Sequence, residues 1–101
     1  MNKMVTLIMF STFTCASPLA QAADVEAGKQ KAQTCAVCHG ANGKSSNDLW
    51  PNLAGQKAAY LAKQLKAFRG GARTDPMMSP MAKPLTDADI ENLAAYFNSL
   101  Q

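Results

Sequence analysis

Residues 34–43 read TCAVCHGANG. Cys35, Cys38 and His39 stand within five positions, and the whole chain holds only 3 Cys and 1 His. What a thiol pair beside an imidazole can do depends on what the other residues supply. A metal cluster needs further ligands, a redox disulfide needs a sheet to sit on, and an attached prosthetic group needs a pocket.

The chain has 101 residues, enough for one domain. Its beginning reads as an address. Lys3 precedes a mostly apolar run, Met4 to Phe13, and small residues follow, with Ala20-Gln21-Ala22 at an A-x-A cleavage position. The run is shorter than the about 20 residues a membrane span needs. The pattern predicts a signal peptide over 1–22 and a mature domain over 23–101. Cys15 leaves with the signal; no Leu-small-small run precedes it, so no lipid anchor is expected there. Cleavage removes 22 of the 101 residues and one lysine, leaving 79 residues and taking the net charge from +3 to +2. The basic residues are interleaved with Ala, Gln and Leu, which excludes a nucleic-acid-binding stripe. The expected location is periplasmic, with no stable membrane insertion after cleavage. Chains below about 80 residues rarely fill a core unaided and usually recruit a staple.

Three main helices are predicted. The first covers about Asp24 to Gln33, with Asp24 as N-cap and Glu26 in the first turn. Gly28 inside it costs about 1 kcal/mol against Ala, which a close approach of another backbone would explain. The second covers about Gln56 to Arg69, where Tyr60, Leu61, Leu65 and Phe68 form one apolar stripe and Gly70-Gly71 stops the helix. The third covers about Thr86 to Leu100, with Thr86 and Asp89 spaced as a capping box and Ile90, Leu93, Ala94, Phe97 and Leu100 facing inward. No run alternates as a strand does, so the fold class is all-α. Residues 40–55 and 70–85 read as long loops rich in Gly, Pro, Ser and Asn. Loops of that length in a small domain need something to enclose.

Structural zinc takes four Cys or His ligands, and the mature chain has three, with no second pair. A thioredoxin-like disulfide sits at a strand-to-helix turn, and the strands are missing. Cys-x-x-Cys-His as a covalent haem attachment site needs only what is here. Two thiols at that spacing reach the two vinyl groups on one edge of the ring as thioethers, and His39 then lies under the iron. The attachment machinery works outside the cytoplasm, as a signal peptide requires. A haem also supplies the missing core. One iron position is left over, and Met closes such a site and raises its potential. The mature chain has Met77, Met78 and Met81, all in the 70–85 loop among Pro76, Pro80 and Pro84. At most one binds; the others are gap-fillers.

With these residues in view, the mature chain resembles a class I cytochrome c. The finer pattern is similar to the small bacterial periplasmic cytochrome c-553 type and to one half of the related dihaem cytochromes. The carrying segments are DVEAGKQ, CAVCHG, PNLAGQKAAYLAKQLKAFRGGAR and DPMMSPMAKPLTDADIENLAAYFNSL. The resemblance implies a class I cytochrome c fold wrapped round one covalent haem c. It places Gly28 where the last helix crosses, under Tyr96 or Phe97. It implies that the Pro51 carbonyl accepts a hydrogen bond from His39 and that Leu53 packs on the haem. Counting back from Leu85, it gives Met78 as the second axial ligand, with Met81 as runner-up. Trp50 is expected either to donate its indole N–H toward a haem propionate or to stand half-buried at the pocket rim, and Tyr60 is expected in the core, with a propionate contact as its alternative. Arg69, Arg73, Lys57, Lys63 and Lys66 are expected as solvated charge, the alternatives being propionate pairing for the arginines and a docking patch for an acidic partner on the lysines.

The function implied is one-electron transfer between redox proteins: a respiratory donor complex, a terminal oxidase or reductase, or a dehydrogenase. No enzyme activity and no catalytic residue are expected. A cytochrome subunit of a periplasmic dehydrogenase complex is the alternative. A haem enzyme or sensor with an open sixth position would need a distal acid–base group, and no second His is present to serve.

Overall fold

A computed structural model describes residues 6–14 and 22–101. Cys15, Ala20 and Gln21, and with them most of the expected cleavage site, lie outside the described residues. Residues 6–14 are exposed and form no regular element. The described residues hold five helices and no strand: α1 Val25–Lys31, α2 Gln33–His39, α3 Ala58–Gly70, α4 Met78–Ala82 and α5 Asp87–Ser99.

The crossing of α1 on α5 is the tightest joint in the fold. Asp24 caps α1, its side chain accepting from the Ala27 N–H at 3.1 Å. The Asp24 N–H donates to Asn92 Oδ1 on α5 at 2.8 Å, so the helix start is tied to its partner. One turn on, Gly28 lies against the Asn92 carbonyl. A Cβ at Gly28 would collide with that carbonyl and stand 2.8 Å from the Cβ of Tyr96. The expected close approach is therefore present, made by the Asn92 backbone and Tyr96.

The other face of α5 packs on α3. Ala32, Leu61, Ala62, Ile90, Leu93, Ala94, Tyr96 and Phe97 form one buried cluster, with Ile90 and Leu93 almost fully enclosed. Arg69, near the end of α3, clasps the start of α5. Its guanidinium donates to the Leu85 carbonyl at 3.0 Å and to Asp87 Oδ1 at 2.6 Å. Thr86 and Asp89 make the full capping box that their spacing predicts. At the far end of α5 the Phe97 carbonyl accepts from the Gly55 N–H at 2.9 Å, which anchors the 40–55 loop.

Three details depart from the sequence reading. Helical structure does not end at Gln33: after a break at Ala32, α2 continues through the CAVCH motif. No Gly or Pro interrupts those residues, and the stop comes at Gly40, whose φ of 87° suits glycine. The 70–85 loop contains α4, because Asp75 and Pro76 provide a helix start. Tyr60 is not core; it is 50% exposed. Its place beside the stripe of α3 puts it at a rim.

Both joints of α5 are open to measurement. Gly28→Ala gains about 1 kcal/mol of helix propensity, but forcing a methyl into a closed contact costs up to about 3 kcal/mol. The net expectation is a loss of about 2 kcal/mol in denaturant unfolding; an unchanged midpoint would show that the crossing shifts freely. Thr86→Ala is expected to cost about 1 kcal/mol through loss of the cap. The Thr86 N–H holds the Asp89 carboxyl below its ordinary range, and Arg69 does the same for Asp87. Stability from such depressed groups is full above about pH 4 and is lost as pH falls through their folded values. The fall in melting temperature with acid should therefore be shallower in Asp89→Asn.

Candidate functional site

Between α2, α3, α5 and the α4 segment lies a cavity of about 860 Å³ with mostly apolar walls. It is bounded at the back by Leu61, Leu65 and Phe68 of α3 and by Leu93 and Phe97 of α5. Leaving core volume empty costs about 24 cal/mol per Å³. This cavity opens to solvent on one side and escapes part of that cost, but apolar walls of such extent left bare are themselves unfavourable in so small a domain. These side chains are built around something else.

One wall is α2. Cys35, Cys38 and His39 all line the cavity, one helical turn carrying both thiols and the imidazole. The two cysteines are partly buried and not joined to each other. Burial pushes the Cys35 thiol up, partly offset by the Thr34 hydroxyl beside it. Among the described residues no three His, Cys, Asp or Glu side chains converge as a metal cluster would.

His39 is buried, and its Nδ1 lies 2.8 Å from the Pro51 carbonyl. A carbonyl only accepts, so Nδ1 carries the proton. That leaves Nε2 with a free lone pair, the tautomer a metal ligand needs, and the bond makes it a stronger donor. The Pro51 carbonyl is itself held. On its C-terminal side Asn52 Oδ1 accepts from the Ser45 N–H at 2.7 Å, and the Leu53 and Ala54 N–H groups both donate to the Gly43 carbonyl, at 2.7 and 2.9 Å. The PNLAG segment is thus strapped to the loop just beyond the histidine. Sequence reading found Pro51 and Leu53 but missed Asn52, Ser45 and Gly43. A polar clamp inside an irregular loop has no periodic signature.

Leu53 lines the cavity and also packs on the buried cluster, so it is shared between core and site. Trp50 stands partly buried at the rim, as expected, beside the exposed Leu49. Arg69 is committed to Asp87 and Leu85, away from the cavity. Arg73 does reach the cavity, with its guanidinium 4.5 Å above the Phe68 ring and bonded to Gln64 at 2.8 Å. Lys66 pairs with Glu91 across α3 and α5 at 3.1 Å.

Met77, Met78 and Met81 all line the cavity, and burial separates them. Met77 is 53% exposed and Met81 43% exposed, whereas Met78 is partly buried. The backbone of that turn is anchored by Asp75, whose Oδ2 accepts from the Met78 and Met77 N–H groups at 2.8 and 2.9 Å. Those two bonds hold the Asp75 carboxyl below the ordinary carboxylate range.

The donor set fits a flat apolar macrocycle bearing iron: paired thiols on one wall, an imidazole with its free nitrogen fixed, a thioether turn, and aliphatic and aromatic walls. The family model for cytochrome c matches residues 25–101. The chain belongs to the cytochrome c family. Its members bind covalent haem c and transfer electrons, and so does this chain. It is 44% identical over 81 residues to cytochrome c-554(548) of Halomonas halodenitrificans, covering 77% of this chain and 98% of that one. It is 43% identical over 76 residues to a thiosulfate dehydrogenase electron acceptor of Thiomonas intermedia, covering 74% of this chain and 35% of that one. Its backbone superposes on the crystal structure of reduced recombinant cytochrome c4 from Pseudomonas stutzeri with a TM-score of 0.75 at 40% identity. That match covers 79% of this chain and 47% of the other, so this cytochrome spans about half the length of cytochrome c4. The class I fold and the likeness to one half of the larger cytochromes, both expected from sequence, stand. No helix among the described residues is long and apolar enough to cross a membrane.

Proposed function

We propose that the chain is a periplasmic monohaem carrier of single electrons whose haem is attached through Cys35 and Cys38 and ligated through His39 and Met78. The supporting observation is the His39–Pro51 bond at 2.8 Å, made at the edge of a cavity that both thiols and the methionine turn also line. It fixes the tautomer before any metal arrives and leaves Nε2 as the basic nitrogen. Met78 is favoured over Met81 by burial and by its anchored backbone N–H.

When bound, the haem supplies a ferric/ferrous couple. The chain's own part is to hold and insulate it. Pro51 orients the imidazole, Leu53, Leu61, Leu65 and Phe68 exclude water, and the α4 turn presents sulfur. These groups set the electrostatic surroundings of the iron, and none breaks or forms a substrate bond.

Residues 1–22 act in this reading as the export signal, checked by the N-terminal mass of protein recovered from the periplasm. Partners are redox proteins that meet the exposed rim near Val37 and Leu49, residues 84% and 85% exposed. Interfaces of this class are small and transient, below about 1,200 Å². The candidates are a respiratory donor complex, a terminal oxidase or reductase, or a dehydrogenase. The likeness to a thiosulfate dehydrogenase electron acceptor favours the last as a specific second reading, a dehydrogenase's cytochrome subunit. Co-purification of a second chain at fixed stoichiometry from native cells would select it.

The ligand assignment is tested by the visible spectrum and a redox titration. The oxidised protein should show the weak far-red absorption of sulfur-to-iron ligation. Met78→Ala should abolish it and lower the potential, and Met81→Ala should leave both. The reverse result would assign the site to Met81.

A further inference from the structure

Three methionines line one cavity within five residues, and Met78 is the least exposed of them, which raises the question of what holds it so. The backbone does the choosing. The turn that carries them is closed by reciprocal contacts between Asp75 and residues 77–79. Asp75 Oδ2 accepts from the Met77 N–H at 2.9 Å and the Met78 N–H at 2.8 Å. In return, the Asp75 N–H donates to Ser79 Oγ at 3.0 Å, and the Ser79 N–H donates to the Asp75 carbonyl at 3.0 Å. Asp75 thus caps the turn over 75–79 that leads into α4, with Pro76 next in that turn, where a missing N–H costs nothing. Pro80 fixes a further φ, in the first turn of α4 where proline is tolerated. The segment ends on the fully buried Ala82. The turn is thus held at its start by the Asp75 bonds and at its end by the burial of Ala82.

We propose that Asp75, with Ser79, is the positioning residue that presents the Met78 sulfur to the haem and keeps Met77 and Met81 outward. The inference rests on the Met78 ligand assignment. Asp75 also borders the cavity, but its Oδ2 is taken up by the Met77 and Met78 N–H groups, so it acts through the Met78 backbone. Without it the turn relaxes, the sulfur spends more time away from the iron, and the sixth position opens to competitors in proportion to that fraction. One oxygen, Oδ2, accepts both bonds, so a neutral amide oxygen in the same place suffices. What is needed is the acceptor, not the charge.

The experiment uses the haem-loaded protein and imidazole as the competing ligand. It follows imidazole affinity of the ferric form, the far-red absorption and the reduction potential. Asp75→Ala is expected to bind imidazole at least about tenfold more tightly than the parent and to lose far-red intensity, since two hydrogen bonds are lost at the turn. Asp75→Asn is expected to stay within about twofold of the parent, as a retained acceptor allows. Ser79→Ala, which keeps the carboxylate but frees its backbone, should move the same readouts the same way by about threefold. It carries the test should Asp75→Ala yield no haem protein. Thr86→Ala serves as the control for destabilisation away from the turn and should leave imidazole affinity unchanged. If Asp75→Ala and Ser79→Ala both match the parent while Met78→Ala abolishes the far-red absorption, the positioning role is overturned and the ligand assignment stands. If Asp75→Asn behaves as Asp75→Ala, the acceptor argument is overturned. If Met78→Ala keeps the absorption, the ligand assignment fails, and the positioning role with it.

Discussion

An apolar cavity of about 860 Å³ at the centre of so short a chain is the constraint to which the rest of the structure answers. The helices touch each other along narrow seams: α1 on α5 at Gly28, and α3 on α5 through Leu61, Ala62, Ile90 and Leu93. Those seams leave Leu65, Phe68 and the inner edges of Leu93 and Phe97 facing a space that no side chain fills. The loops show the same dependence. The PNLAG segment is tied to Ser45 and Gly43 and the methionine turn to Asp75, and both lay residues against the cavity.

The two walls that bear ligating atoms are built on opposite principles. On the α2 side the motif is covalent in intent and the geometry is set by a regular helix, with both thiols and the imidazole on one turn. The imidazole is then fixed through a carbonyl that is itself strapped by Asn52, Ser45 and Gly43. On the methionine side a turn held by Asp75, leading into the short helix α4, takes the place of a covalent link. A soft thioether is a weak ligand, so the rigidity of its support counts for more there than on the histidine side.

Much of this was legible in the residues. The all-α class followed from the absence of alternation, α5 from its capping box and apolar face, and the haem from CAVCH in a chain with no other ligand pair. The helix cost of Gly28 left a close approach and a tolerated surface glycine both open, and the likeness to class I cytochromes c pointed to the crossing. What escaped the sequence was irregular or short-range. The helix through CAVCH was hidden because the motif was weighed for its chemistry and not for its backbone. The α4 turn was hidden by three prolines that read as loop, although Asp-Pro is itself a helix start. Tyr60 was assigned to the core by its position along α3, yet the stripe there faces the cavity edge, where half a tyrosine stays wet. Periodicity finds the face of a helix; it does not tell whether that face meets protein or a cofactor.

The central claim is that a bound haem, and not protein, completes the core. It is tested most directly on chain made without haem attachment, with Cys35 and Cys38 replaced by alanine, by its two-dimensional amide spectrum and thermal melt. The account predicts poor chemical-shift dispersion and no cooperative transition, while helical content persists in part. A dispersed spectrum with a sharp melt would show that the helices close a core of their own, and would contradict it.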